Sequence, residues 1–257
     1  MPDQPPLRVL ILSADVAGGH DASAHELARQ IRGLGPHATA VVENGLCLFG
    51  PATHRLVRDG YRLQISRVSA TYGPMIHLMS SRLVIRAIHR FAGWKSRRRA
   101  RVVLAKHEPT VVIATHALPA MTLSDLRRRG ELHVPAMEAT TDPDPHPLLL
   151  CRHLDRLLVS TEMDAHKVHQ STPQLPVSAI APPVDPSFRA SHSRAHAREH
   201  LGLEHEHRPI ILVSGGSWAV GGMSHIISTL ARAGTVRVLA LCASNDALRH
   251  EIAAAYS

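Results

Sequence analysis

Residues 8–31 read RVLILSADVAGGHDASAHELARQI. Positions 8–13 are almost wholly apolar, the mark of a strand covered on both faces of a parallel sheet. An acid, two glycines and a histidine follow, and a helical pattern then runs over 21–34. A chain leaving a strand end must turn sharply into that helix, and Gly18 and Gly19, lacking Cβ, permit the turn. The unpaired N–H groups of the helix start attract an anion or a polar substrate group. Doubly wound folds bind ligands outside the carboxyl ends of their strands. His20 therefore stands where substrate is expected, and a neutral imidazole there can accept a proton. The other reading is a polar cap on an ordinary turn. The stretch is neither GxGxxG nor a Walker loop, so neither a dinucleotide nor a P-loop site is predicted.

Working outward, strands and helices alternate. Short apolar runs at 7–13, 38–44, 110–116, 134–140 and 155–161 read as buried strands, with helical patterns at 21–34, about 75–107, 117–129 and 162–170. This predicts an α/β fold with a parallel sheet and helices on both faces. APPVDPSFRASHSR, 181–194, is Pro- and Ser-rich and reads as part of a linker over 181–207. The alternation restarts with strands at 208–216 and 236–242, each leading into a helix. Only about 50 residues follow the linker, whereas a parallel αβ unit takes on the order of 100. The expectation is a complete Rossmann-like domain over 1–180 and the first part of a second over 208–257.

The chain has 257 residues, a formal net charge of +8, and 44% hydrophobic but only 3% aromatic residues. Aliphatic side chains must fill the core. A basic balance suits phosphate-bearing substrates, nucleic acid or an anionic membrane surface. The densest basic run, KSRRRAR at 95–101, is either a solvated helix face or a functional patch. No aromatic platform or recognised motif supports nucleic-acid binding. Cys47, Cys151 and Cys242 form no CxxC pair, which fits a reducing cytoplasm. The first residues lack a signal-peptide layout, and no run of about 18 apolar residues spans a membrane.

Three more stretches can carry chemistry. TTDPDPHP, 140–147, follows a predicted strand and places Asp142 and His146 on one loop, stiffened by Pro143, Pro145 and Pro147. A carboxylate beside an imidazole orients it or raises its pKa; a solvated connection is the alternative. SGGSWAVGG, 214–222, sets Gly215, Gly216 and Ser217 on a small polar turn with free N–H donors. Two glycine turns, one per domain, suggest a cleft between paired Rossmann-like domains. In 74–107, Met, Ile, Leu, Phe and Trp interleave with Arg and Lys, a pattern that lies on an anionic bilayer or packs as core with its cations outward. HAREH, 196–200, four residues after His192, fits the HxxEH pattern. With no third ligand placed, it reads as a solvated linker helix, and no metal is predicted.

Together these segments resemble the glycolipid synthases comprising monogalactosyldiacylglycerol synthase and the processive diacylglycerol glucosyltransferases, relatives of the peptidoglycan N-acetylglucosaminyltransferase. The resemblance rests on LSADVAGGHDASA (12–24), IATHAL (113–118), TTDPDPHP, DRLLVSTE (155–162), PPVDPSF (182–188), LVSGGSWAVGG (212–222) and LCASNDALR (241–249), in order. It implies a GT-B architecture, a hexose transferred with inversion from a UDP-sugar to diacylglycerol or a similar lipid hydroxyl, and no metal or other cofactor. It implies peripheral attachment at the inner face of the cell membrane, with the lipid acceptor on the N-domain. His20 becomes the base, with Asp142 and His146 beside it. Gly18, Gly19, His116, Gly215, Gly216, Ser217 and Asn245 become substrate-binding. The family usually has glycine where this chain has Ala17, Ala219 and Ala243. If those positions need φ > 0, each alanine costs on the order of 1 kcal/mol. The chain is also expected to stop before the family's main nucleotide-sugar segment. The alternative is therefore a non-catalytic remnant that keeps lipid or membrane binding.

Overall fold

The computed structural model describes residues 5–16, 18–67, 80–142, 145–189, 193–219 and 222–256. Ala17, Pro143, His192 and residues 74–79 lie outside them. The chain forms two compact units: Met1–Gln64 with Val68–Val184, and Ile65–Arg67 with Asp185–Ser257.

In the first unit, β1 (Leu7–Ser13), α1 (Gly19–Arg32), β2 (Ala38–Asn44) and α2 (Pro51–Arg67) are followed by α3 (Arg82–His107), β3 (Val111–Ala114) and α4 (Ala117–Arg128). Then come β4 (Ala136–Ala139), β5 (Arg156–Val159), α5 (Glu162–Ser171) and β6 (Val177–Ala179). The six strands are parallel, in the order β2-β1-β3-β4-β5-β6. Right-handed crossovers carry the chain one way from β1 to β2 and the other way from β3 onward, so the helices fall on opposite faces. Alternate strand residues divide accordingly. Val9, Ile11 and Ile113 pack with Ala24 and Ala28 of α1, while Leu10, Leu12, Val112 and Ala136 pack with α3 and α4. Burial on both faces is why β1 reads as an unbroken apolar run.

Helices α3 and α4 approach closely through small residues. Ala92, Gly93, Ser96 and Ala100 are buried, and Ser96 Oγ lies 2.7 Å from Thr122 Oγ1. A Cβ on Gly93 would stand 2.5 Å from the Asp125 carboxyl carbon, so only glycine fits there.

In the second unit α6 (Arg194–His200) precedes β7 (Ile210–Ser214), α7 (Met223–Ala233), β8 (Arg237–Leu241) and α8 (Asp246–Tyr256). β7 and β8 pair in parallel over a core of Val213, Ala219, Met223, Ile227, Cys242 and Leu248. The fold class is the α/β one read from the sequence: a parallel-sheet Rossmann-like unit, then the strand–helix repeats of a second unit. Among the described residues no helix is long and apolar enough to cross a membrane, and no three His, Cys, Asp or Glu side chains gather as a metal site.

Candidate functional site

The sheet's winding reverses between β1 and β3, and a crevice opens outside the carboxyl ends of such a strand pair. The turn after β1 delivers His20 there, and the turn after β3 delivers Thr115 and His116. Gly18 takes φ +74°, which a Cβ would strain. Gly19 begins α1, and among the described residues nothing lies within 4 Å of where its Cβ would stand. His20 Nδ1 lies 2.6 Å from the Thr115 carbonyl oxygen and 3.1 Å from Thr141 Oγ1. A carbonyl only accepts, so Nδ1 carries the proton and Nε2 holds the free lone pair. The Thr115 hydroxyl donates back to the His20 carbonyl at 3.2 Å. Three strand ends thus fix one ring.

His116 caps α4: its Nδ1 accepts from the Leu118 N–H at 3.2 Å. Its ring meets that of His20 edge-on, with centroids 4.7 Å apart and planes at 83°. Burial, and secondarily the charge His20 can carry, push it down to about 3, although part of the residue touches solvent. His116 is therefore neutral beside His20.

Asp142 and His146 are not brought together: among the described residues they share no hydrogen bond or ion pair. Asp142 is exposed, and its N–H donates to Thr140 Oγ1 at 3.2 Å. His146 caps a 3-10 turn. Its Nδ1 accepts from Leu148 N–H at 3.2 Å, which leaves Nε2 to donate to Ser80 Oγ at 2.9 Å. Both nitrogens are committed, and the ring has no lone pair to offer as a base. Extended backbone at His146, followed by Pro147, turns it away along the loop.

Other groups at this edge were not singled out in the sequence. Asp15 accepts from Asn44 Nδ2 at 2.8 Å and from His54 Nε2 at 2.7 Å. Burial works to raise its pKa, but these hydrogen bonds outweigh that and lower it. Ser13 donates to the Asp21 carboxylate across the glycine turn. Glu138 is 2% exposed in β4, and among the described residues its Oε2 has no partner. Burial, then the nearby Asp142 charge, push it up to about 8. A lone acid in the apolar run VPAMEAT was the available signal.

In the second unit the two strand-end turns are tied together. Gly216 takes φ +67°. Ser244 Oγ donates to the Ser217 carbonyl at 2.9 Å, and Asn245 Nδ2 to the Ala219 carbonyl at 3.3 Å. Asn245 Oδ1 also accepts from Leu248 N–H at 3.0 Å, at the start of α8. Ala219 and Ala243 both take left-handed backbone, with φ +46° and +44°.

The basic helix α3 divides cleanly. Its small residues face inward, while Leu83, Phe91, Trp94 and Val102 stand outward, each more than half exposed. Phe91 and Trp94 lie with ring centroids 6.0 Å apart. Arg97 pairs with Asp125 and Arg101 with Glu131.

A doubly wound parallel unit with an imidazole fixed at its winding reversal defines a Rossmann-like protein equipped to meet a polar ligand. The profile of the family described as monogalactosyldiacylglycerol (MGDG) synthase matches residues 20–184, and the chain belongs to that family. It is similar to the processive diacylglycerol beta-glucosyltransferases of Bacillus cytotoxicus and Bacillus mycoides, each 22% identical over 250 residues. Those alignments take in 95% of this chain and 62% of each relative, so the chain spans about three-fifths of the relatives' length. A crystal structure of a glycosyltransferase from Rickettsia africae aligns with 92% of this chain and 69% of its own, at 11% identity and a TM-score of 0.48.

Proposed function

We propose that this chain carries the acceptor-activating part of a glycolipid glycosyltransferase, moving a hexose from a UDP-sugar to the hydroxyl of diacylglycerol or a similar lipid. The observation that carries this reading is the His20 ring, held through Nδ1–H by the Thr115 carbonyl with Nε2 left as acceptor. As the lipid oxygen bonds to the sugar's C1, the hydroxyl must lose its proton, and Nε2 takes it. The C1–O bond to the diphosphate breaks on the opposite face, which inverts the anomeric centre. His116, kept neutral, is positioned beside the base, and the open space over Gly19 lets a substrate approach the helix start. The turn of Gly215, Gly216 and Ser217 supplies N–H donors suited to the departing diphosphate. The outward Leu83, Phe91 and Trp94, among exposed Arg86, Arg90 and Arg98, suit docking on an anionic membrane at the inner face of the cell membrane. No protein metal enters this scheme.

Incubation with diacylglycerol vesicles and radiolabelled UDP-glucose or UDP-galactose tests the reading. Glycolipid formation should fall by about 10²–10⁴-fold in His20→Ala. Unchanged turnover in that variant removes His20 as the base. Vesicle binding with no transfer by the wild-type chain would favour the non-catalytic lipid-binding alternative.

A further inference from the structure

A cavity of about 530 Å³ lies within the first unit, between α3 and the turn that follows β2. Its walls differ in kind. Leu12 and Leu48 are 2% and 3% exposed and form a buried apolar side with Val103. Lys95, Arg98 and Arg99 line it from the exposed side of α3. Neighbouring Arg97 and Arg101 are spent on Asp125 and Glu131. Among the described residues no carboxylate pairs with Lys95, Arg98 or Arg99. The one acid of the lining, Glu43, is held by Lys106 at 3.0 Å and His107 at 2.7 Å, so it does not neutralise them. The Arg99 guanidinium lies over Gly50, where an added Cβ would come within 3.3 Å of Nη2.

Three unpaired cations beside a greasy pocket call for an anionic amphiphile. Volume narrows the choice. At about 530 Å³ the cavity falls within the range of small-ligand pockets, a size suited to a single acyl chain. A carboxylate suits two adjacent guanidiniums through paired N–H···O contacts. We infer that this cavity binds a free long-chain fatty acid, with its chain against Leu12, Leu48 and Val103 and its carboxylate at Lys95, Arg98 and Arg99. The lining does not include His20, and filling the cavity needs no sugar donor. It lies on the same helix as the exposed Phe91 and Trp94, where a membrane-partitioned fatty acid would be met.

Cys47 lines the cavity and is exposed, whereas Cys151 and Cys242 are buried. Alkylation by iodoacetamide, read by peptide mass spectrometry on the full chain, therefore reports occupancy at Cys47 and unfolding at the other two. Sub-micellar oleate should slow Cys47 alkylation about tenfold at ten times its dissociation constant, with Cys151 and Cys242 unaffected. The Arg98→Gln/Arg99→Gln variant should lose that protection, and Arg101→Gln should keep it. Val102→Trp, at an exposed wall position, should shield Cys47 without ligand and abolish the effect of oleate. The inference is overturned if oleate gives no protection, or if methyl oleate, which lacks the charge, protects equally. It is also overturned if dioleoylphosphatidylglycerol vesicles protect Cys47 through Arg98 and Arg99 while oleate does not.

Discussion

Ala219 and Ala243 sit at the two strand-end turns of the second unit, both in left-handed backbone. Replacing either with glycine relieves the clash of Cβ with the following carbonyl, worth about 1–2 kcal/mol. Glycine returns about 0.5–1 kcal/mol of that through the freer unfolded chain. Ala243 is exposed, so nothing else changes, and Ala243→Gly should stabilise the unit by about 0.5–1 kcal/mol. Ala219 is 3% exposed and packs in the core with Val213, Met223 and Ile227. Its methyl contributes about 0.8 kcal/mol of burial, which cancels the gain, so Ala219→Gly should be close to neutral. Amide hydrogen exchange in α7 and β8 of the full chain reads the difference, with β1 and β3 as internal references. A gain of about 0.7 kcal/mol slows exchange through unit opening roughly threefold. Ala243→Gly should show this slowing, Ala219→Gly should not, and neither should alter β1 or β3. Faster exchange in Ala243→Gly, or equal slowing in both variants, would refute the division between strain and packing.

Other perturbations bear on the first unit. Gly18→Ala forces a Cβ into φ +74° and should cost about 1–2 kcal/mol in urea unfolding. Gly19→Ala fills open space at a helical position and should gain up to about 1 kcal/mol while slowing glycolipid formation; full turnover would mean that no substrate uses the space. Glu138, pushed up to about 8 in the folded chain, keeps its proton while the unfolded carboxyl ionises near its ordinary value. The folded state then binds the extra proton, so stability falls as pH rises from about 4.5 to about 8, by on the order of 5 kcal/mol. Glu138→Gln should flatten that slope in urea midpoints at pH 5 and pH 8, and an unchanged slope would assign it elsewhere. His116, pushed down to about 3, has the opposite sign: stability is lost as pH falls from about 6.5 toward 3, because the unfolded imidazole protonates first. His116→Asn keeps a side-chain acceptor at the cap of α4 and should make acid unfolding shallower over that window.

Local pattern carried much of the first unit. β1 and β2 fall on the runs at 7–13 and 38–44 residue for residue: β1 is legible because both its faces are buried, and β2, at the sheet edge, because Ala38 and Ala40 alternate with exposed Thr39 and Val41. The later strands shorten to Val111–Ala114, Ala136–Ala139 and Arg156–Val159, because the polar residues after them turn out of the sheet into caps and loops. α2 was missed since it has no broad apolar stripe to read: Leu56 and Leu63 are 73% and 50% exposed. β6 spans only Val177–Ala179 beside Pro176, too short to show a period.

The site was legible in part, and the division follows sequence distance. Gly18 and His20 were visible because a strand, a turn and a helix start are consecutive. The state of the His20 ring was not, since its partners Thr115 and Thr141 lie 95 and 121 residues away and one of them acts through its backbone carbonyl. The converse holds for Asp142 and His146. Four residues apart, they looked like a pair, yet proline-restricted backbone sends His146 to Ser80 instead. The basic run at 95–101 shows why composition could not decide between a solvated face and a patch. Helical spacing sends Arg97 and Arg101, four apart, toward carboxylates near the end of α4, and leaves Lys95, Arg98 and Arg99 on the cavity side. Both readings of that run are therefore correct, for different residues of one helix.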